Sequence, residues 1–225
     1  MLKYILKRIL QAIPLLFVIT ALCFLLINLA PYDAVDAITT PDMSRAEIEQ
    51  KREDYGLNDP IYVQYGKWLE NICHGEFGNS LLSHTSIKYD LKQRIPATIQ
   101  LVLPAYLTAF CLAIVLGLVA GSHKNRAADK IIDGLSSVGI AMPTFWLALL
   151  MMYFFSYRLK TFPLMGMHTI GLEHSVSDYL KHFAMPYIVL TMGFLPDLTR
   201  YVRASTIGQL KEDYCLVQEA FGAKK

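Results

Sequence analysis

The chain has 225 residues, a formal net charge of +2 at pH 7, and a composition that is 54% hydrophobic and only 18% charged. Such a composition is too apolar for an ordinary soluble domain. The balanced charge gives no indication of a nucleic-acid partner, and we expect none. Because the apolar residues are gathered in long blocks, the sequence predicts a membrane protein.

Three of these blocks are long enough to cross a bilayer, for which a helix needs roughly 20 residues. Residues 9–30, 95–122 and 134–157 contain 22, 28 and 24 residues without a charge. A fourth block, 183–196, has only 14 uncharged residues. It spans only if its helix continues through Asp197 and Arg200, which lie three apart and are predicted to pair on one face. The predicted fold is all-α, a polytopic membrane helical bundle.

Basic residues flank the predicted spans asymmetrically, which indicates the orientation of the chain. They precede the first span, fill the short second connection and follow the fourth span: Lys3, Lys7, Arg8, Lys124, Arg126, Lys130, Arg200, Arg203 and Lys211. By the positive-inside rule, the amino terminus, the second connection and the tail are cytoplasmic. The first span is longer than a signal-peptide core and lacks an A-x-A-like cleavage site, so we expect it to be retained.

No motif of the sequence indicates intrinsic chemistry. It lacks a phosphate-binding loop, a His-Glu-x-x-His motif, a nucleophile elbow and paired intramembrane acids. The four cysteines fall in two spans, one outer loop and the tail, so they form no disulfide framework and no metal cluster. We therefore predict no catalytic residue, no cofactor and no metal ligand, and hence no enzyme.

The long loop after the first span is predicted to form a short helical extracytoplasmic domain. Ser44 and Glu47 have the spacing of a capping box, and the helix they open should stop at Gly56. Asp59 is predicted to cap a second helix, Ile61–Cys73, with the following proline at the first helical position. Residues 87–95 then alternate apolar and charged side chains, which is typical of a helix at the membrane interface.

Pro96 is predicted to end this interfacial helix and to turn the chain into the second span. The predicted division of the chain is therefore residues 1–94, with the first span and the outer loop, and residues 95–225, with the remaining spans.

Two segments of the second part are candidates for motion or contact. In the third span, small residues around Gly139 allow close helix approach, and Pro143 should bend the helix. This pattern indicates either packing within the chain or a hinge that moves during a transport cycle. After the fourth span, residues 208–221 predict a short mixed helix suited to contact with a cytoplasmic partner.

Seven motifs, in this order and spacing, resemble a known family. They are Leu-Lys-Arg-Ile-Leu-Gln-Ala-Ile-Pro (6–14), Asn-Leu-Ala-Pro (28–31), Tyr-Gly-Leu-Asn-Asp-Pro-Ile (55–61), Gly-Glu-Phe-Gly-Asn-Ser (75–80), Arg-Ile-Pro-Ala-Thr-Ile (94–99), Met-Pro-Thr-Phe-Trp-Leu (142–147) and Arg-x-x-Arg-Ala-Ser (200–205). The chain resembles the inner-membrane permeases of the peptide and nickel class of binding-protein-dependent ABC importers.

This resemblance implies a type I ABC importer permease fold in the bacterial inner membrane. It also implies the partners of such a permease: a second permease subunit, cytoplasmic ATP-binding subunits and an extracytoplasmic substrate-binding protein. The cargo would be a peptide, a related small solute or nickel. Such permeases usually continue into further spans after the position where this sequence stops, so the resemblance also implies a chain shortened at its carboxyl end.

The resemblance further implies that the segment after Glu212-Asp213-Tyr214, ending in Gly222, is a cytoplasmic coupling helix that docks into a groove of the ATP-hydrolysing subunit. The matching positions are Asp213, Tyr214, Ala220 and Gly222. Tyr214 and Phe221 lie seven residues apart, hence on one helical face, and aromatic anchors often carry such interfaces. Gly222 is predicted to end the helix in a left-handed turn.

A different function remains open on the residues alone. The folded outer loop would also suit a membrane-anchored receptor or assembly protein without transport activity of its own. Association with an ATP-hydrolysing subunit distinguishes the two.

Overall fold

The structure, a computed structural model, describes residues 1–31, 33, 35–80, 83 and 85–222. Over these residues it contains eight α-helices: α1 (Leu2–Asn28), α2 (Arg45–Asp54), α3 (Ile61–Cys73), α4 (Ile87–Ser122), α5 (Ala127–Ala141), α6 (Thr144–Met151), α7 (Val176–Gln209) and α8 (Asp213–Ala220). A 3-10 turn at Asp36–Ile38 and a seven-residue π-helix, Met152–Arg158, which continues α6, complete the helical structure there. The predicted all-α class is confirmed.

The chain forms two compact units, Met1–Arg94 and Ile95–Lys225. In the first unit, α3 packs on α1 through Tyr65. The Tyr65 hydroxyl lies 2.9 Å from the Thr20 hydroxyl and donates to the Phe17 carbonyl at 3.2 Å. Its ring stacks on Trp68 and meets Phe24 edge-on. A half-buried aromatic ring with a bonded hydroxyl is a local anchor, so Tyr65 holds α3 against the first apolar helix.

The predicted capping box at the start of α2 is confirmed. The Ser44 hydroxyl accepts from the Glu47 backbone N–H at 3.3 Å, and the Glu47 carboxylate accepts from the Ser44 backbone N–H at 2.7 Å. The hydrogen bond from the Ser44 backbone lowers the pKa of Glu47. Gly56 has φ 68°, a conformation that favours glycine, at the predicted stop.

Two predictions about the ends of helices in this region are wrong. Asp59 does not cap α3, because its carboxylate binds the Lys67 ammonium at 2.6 Å and Pro60 takes the N-cap position. Pro96 does not end a helix, since α4 runs for 36 residues through both Pro96 and Pro104. A membrane helix tolerates a proline because neighbouring helices, hydroxyl side chains and local adjustment of the backbone satisfy the groups that the proline leaves unbonded.

The second unit is held together by close contact between small residues of α4 and the elements around them. The buried positions of α4 are all alanine or glycine and recur about every four residues: Ala105, Ala109, Ala113, Gly117, Ala120 and Gly121. The Thr191 hydroxyl of α7 reaches the Ala105 carbonyl at 3.5 Å. Small residues let two helix backbones approach closely, which is how helices associate where water supplies no hydrophobic force.

The predicted third span is two helices rather than one bent helix. The segment Ala127–Ala141 meets Thr144–Arg158 at 91°. Met142 is extended, with φ −88° and ψ 116°, and Pro143 occupies the N-cap position of α6. The residue before a proline avoids the helical conformation, so the chain breaks at this point instead of bending.

By length and composition, two described helices are apolar enough to cross a membrane, Lys3–Asn28 and Ile87–Ser122, and the bent pair is a third if it counts as one span. The helix α7 is not among them, although it does continue through Asp197 and Arg200 as a fourth span requires. The predicted pairing of those two residues is wrong. Arg200 instead faces Asp133 of α5 at 3.8 Å and donates to the Ser137 hydroxyl at 2.7 Å.

Candidate functional site

The candidate contact segment is α8, which is separate from α7. The prediction of one helix over residues 208–221 is wrong, because α7 ends at Gln209 and three residues intervene. In this turn Lys211 N–H donates to the Gly208 carbonyl at 3.1 Å and Glu212 N–H to the Gln209 carbonyl at 3.2 Å. These bonds span three residues instead of four, so the chain tightens and the helix axis is interrupted. Gly208 weakens the helix just before the interruption.

The ends of α8 suit a short independent helix. Asp213 lies in its first turn, where a negative charge is favoured by the backbone dipoles. At the other end Phe221 N–H still donates to the Val217 carbonyl at 3.1 Å. Gly222 follows with φ 89°, the left-handed conformation predicted from the sequence. Ala220, the last helical residue, is exposed.

One face of α8 is apolar and open. Tyr214, Val217 and Phe221 are spaced three and four residues apart and therefore share this face. They are 55%, 53% and 89% exposed. Two exposed apolar side chains on α8 and a third one residue beyond its end form a surface that a partner groove could cover. We call these three residues the α8 apolar face.

A side-chain hydrogen bond crosses the interruption between the two helices. The Tyr214 hydroxyl donates to the Gln209 side-chain carbonyl. Because Gln209 is the last residue of α7, this bond ties the first turn of α8 to the end of the long helix. The ring of Tyr214 is thus part of the α8 apolar face, while its hydroxyl group bonds to the end of α7.

The end of α7 that precedes α8 is packed tightly on α4. A Cβ added to Gly117 would lie 2.6 Å from the Val202 side chain and 3.0 Å from the Arg203 backbone nitrogen. A Cβ added to Gly121 would lie 2.6 Å from Thr206. Neither distance leaves room for a methyl group. The two glycines therefore set how closely α4 and α7 approach at this end of the second unit.

The same end of α7 is joined to α5 by a bidentate ion pair. The Arg203 guanidinium donates to the Asp129 carboxylate from Nε at 2.5 Å and from Nη2 at 3.0 Å. Asp129 is 2% exposed. No role for Asp129 is predicted from the sequence, because its partner lies 74 positions away along the chain. An acidic residue in the first turn of a helix after a basic connection was the signal that could have drawn attention to it.

Among the described residues, no group of three or more His, Cys, Asp or Glu side chains could hold a metal ion. The site therefore consists of a contact surface on α8 and of the preceding end of α7, which is held by α4 and α5.

Sequence comparison assigns the chain to a family. The family described as "Binding-protein-dependent transport system inner membrane component" matches residues 113–225, and the amino-terminal region of such membrane components matches residues 1–102. The chain belongs to this family. It is thus an inner-membrane transport permease with several apolar helices, not an enzyme.

Named relatives align with this permease over its whole length. It is 35% identical to the oligopeptide transport system permease protein AppB of Bacillus subtilis, over 226 residues that cover all of this chain and 72% of the relative. A putative peptide permease protein of Brucella ovis is 34% identical, again over the whole chain and 72% of the relative. The glutathione transport system permease protein GsiC of Escherichia coli K12 is 29% identical, over the whole chain and 70% of the relative.

The two residues predicted as a hinge of the permease have different surroundings. A Cβ on Gly139 would lie 2.5 Å from the Pro196 ring of α7, so Gly139 is a point of close helix packing. Pro143 lies at the break between α5 and α6. An apolar cavity of about 330 Å³ adjoins the break, lined by Met142 and by residues of α4, α5, α6 and α7 that include Gly139 and Leu147. Open space beside Gly139 and Met142 fits the predicted hinge, which stays a prediction.

Proposed function

We propose that this permease is one transmembrane subunit of an ABC importer for peptides or related small solutes, coupled through α8 to ATP hydrolysis by a cytoplasmic subunit. The relatives named above are oligopeptide, peptide and glutathione permeases. Nickel is the other cargo that the sequence resemblance implies. The partners are a second permease subunit, ATP-binding subunits and an extracytoplasmic substrate-binding protein.

The observation that carries the proposal is the geometry of α8. A helix can pass a displacement from an ATPase only if its side chains fill a partner groove and its base is fixed to a membrane helix. The α8 apolar face supplies the first condition and the bond between Tyr214 and Gln209 the second. A tail that merely rested on lipid headgroups would need the apolar face but not this attachment.

The first unit supports a second contact, with the substrate-binding protein. Its α2 is short, strongly polar and without a buried residue, while α3 is fixed on α1 by Tyr65. The polar surface of α2, next to a helix that is held in place on α1, is one that a soluble protein could bind. The same surface would serve a receptor or assembly protein without transport activity, which would bind the soluble protein but recruit no ATPase.

Reconstitution of the complete complex in liposomes tests the proposal. We expect uptake of a labelled peptide to require ATP, the ATP-binding subunits and the binding protein together. Uptake of labelled nickel without uptake of peptide would show that the cargo is nickel. Uptake that needs no ATP-binding subunit would contradict the proposed function.

Deletion of residues 42–75 tests the role of the outer loop. A complex that lacks these residues should lose contact with the binding protein. Unchanged contact would show that the outer loop does not have this role.

The proposed orientation places the amino terminus, the turn before α5 and α8 in the cytoplasm. Gln50 and Arg126 are both exposed and lie in α2 and in that turn. In a background without Cys23, Cys73, Cys111 and Cys215, we expect an impermeant thiol reagent added outside to label Gln50→Cys and not Arg126→Cys. Because positively charged connections are retained inside, Arg126→Cys should react only after the membrane is opened. Labelling of both from outside would contradict this orientation.

A further inference from the structure

The ion pair between Asp129 and Arg203 occupies a position that links several parts of the second unit. Asp129 lies in the first turn of α5 and is almost completely buried. Its carboxylate accepts three hydrogen bonds, two from Arg203 and one from the Asn125 backbone N–H at 2.8 Å. Asn125 has φ 65°, an uncommon conformation for a residue with a side chain. Asp129 therefore holds together α5, the turn before it and α7.

Arg203 is fixed on its other side by α4. Its backbone nitrogen and carbonyl oxygen lie where a Cβ on Gly117 or Gly121 would meet them, at 3.0 and 3.2 Å. Its guanidinium reaches in the other direction, to α5. Three helices thus meet at Arg203, and a fork of two N–H groups on one carboxylate fixes their orientation more strictly than a single charge contact would.

The continuation of α7 from this point leads directly to α8. Gln209, the end of α7, is the sixth residue after Arg203, and no helix break intervenes. Gln209 in turn accepts the hydrogen bond from Tyr214. A displacement of α8 therefore enters α7 within two helical turns of the ion pair. At its far end α5 stops at the 91° break, which is where a rigid segment could rotate.

We propose that Asp129 and Arg203 are positioning residues that lock α5 to the α8-bearing end of α7, so that motion of α8 turns α5 about the break at Met142 and Pro143. This inference rests on the proposed function, since it assumes that an ATPase moves α8. A second contact farther along, between Arg200 and the side chains of Asp133 and Ser137, adds to the same attachment. The contact between Arg200 and Asp133 is longer and more exposed than the ion pair of Asp129, so the Asp129 pair is the main connection between α5 and α7.

The Asp129→Asn variant of the complete transporter tests the inference, because it keeps the shape of the side chain and removes its charge. We expect ATPase subunits to co-purify with it as with the wild type and ATP hydrolysis without substrate to be unchanged. Stimulation of hydrolysis by the peptide-loaded binding protein should fall by about fivefold or more, within the range of ordinary coupling effects. Arg203→Lys keeps the positive charge but cannot donate two parallel hydrogen bonds to the carboxylate. It should likewise leave ATPase association and basal hydrolysis unchanged and reduce the stimulation.

Asp133→Asn is the matched control, since the same change is made four residues along α5 at a 3.8 Å contact with 43% side-chain exposure. It should leave the stimulation within about twofold, as expected for an exposed pair. Normal stimulation in both Asp129→Asn and Arg203→Lys would overturn the inference. So would an equal loss of ATPase association and stimulation in both, which would indicate a purely structural pair. If no ATPase subunit co-purified with the wild-type permease, both the proposed function and this inference would be overturned.

Discussion

Gly121→Ala is expected to destabilise the permease although alanine is the better helix former. An added methyl group would lie 2.6 and 2.7 Å from two Thr206 side-chain atoms and 3.2 Å from the Arg203 carbonyl oxygen. Since Cβ of Thr206 and the Arg203 backbone are not flexible ends, α4 and α7 must move apart. Overpacking of this kind costs about 1–3 kcal/mol, which exceeds the gain of about 1 kcal/mol in helix propensity. Gly117→Ala should behave in the same way.

Thermal unfolding of the purified protein in detergent measures this effect, and Gly134→Ala is its control. Apart from its own helix backbone, no atom lies within 4 Å of a Cβ at Gly134, which is also in a helix of the second unit. We therefore expect Gly134→Ala to unfold at the wild-type temperature or above it, and Gly121→Ala to unfold several degrees lower. Equal unfolding temperatures for the two variants would show that the glycines of α4 do not set the helix separation.

Removal of the two aromatic side chains of α8 is expected to weaken binding of the ATPase more than any other surface change. Tyr214 and Phe221 are the large members of the α8 apolar face, and Phe221 is 89% exposed. Aromatic hot spots contribute about 2 kcal/mol or more when truncated to alanine. Loss of one such contact would raise Kd about thirtyfold or more. Titration of the purified permease with the ATP-binding subunit measures the change for each variant.

Two further variants separate the parts of this effect. Tyr201→Ala removes the same aromatic atoms from an exposed position of α7, outside α8, and should leave Kd unchanged. Tyr214→Phe keeps the ring but removes the hydrogen bond to Gln209. It should bind the ATPase with little change and should reduce the coupling of hydrolysis to transport. If Tyr201→Ala weakened binding as much as Tyr214→Ala, the contact could not be assigned to α8.

Features set by neighbouring residues could be predicted from the sequence. The capping box of Ser44 and Glu47 and the left-handed Gly222 both depend on a few adjacent positions. The long apolar helices follow from composition in the same way. Predictions that assumed a local partner for a charged residue failed where a distant partner was better placed. Asp59 binds Lys67 and Arg200 binds Asp133, and neither contact is visible in the spacing along the chain.

The candidate site shows the same limit. The helical period predicted that Tyr214 and Phe221 lie on one face, and both side chains are exposed. The separation of α8 from α7 could not be predicted, since the turn at 210–212 contains no proline and only Gly208 marks it. The attachment behind the site depends on Asp129 and Arg203, which come together only when α5 packs on α7. The effects of two prolines were predicted wrongly. Pro96 was predicted to end a helix but lies within a continuous one, and Pro143 was predicted to bend a helix but lies at a break between two.

Co-purification of the ATP-binding subunits tests the central claim most directly. Three tagged forms of the permease would be expressed with those subunits: the wild type, the Tyr214→Ala/Phe221→Ala variant, and a chain that ends at Ser205. The amount of each form in the membrane serves as the reference. We predict that the ATPase is recovered with the wild type, in much smaller amount with the double variant, and not at all with the shortened chain. Equal recovery with all three would contradict the claim that α8 couples this permease to ATP hydrolysis.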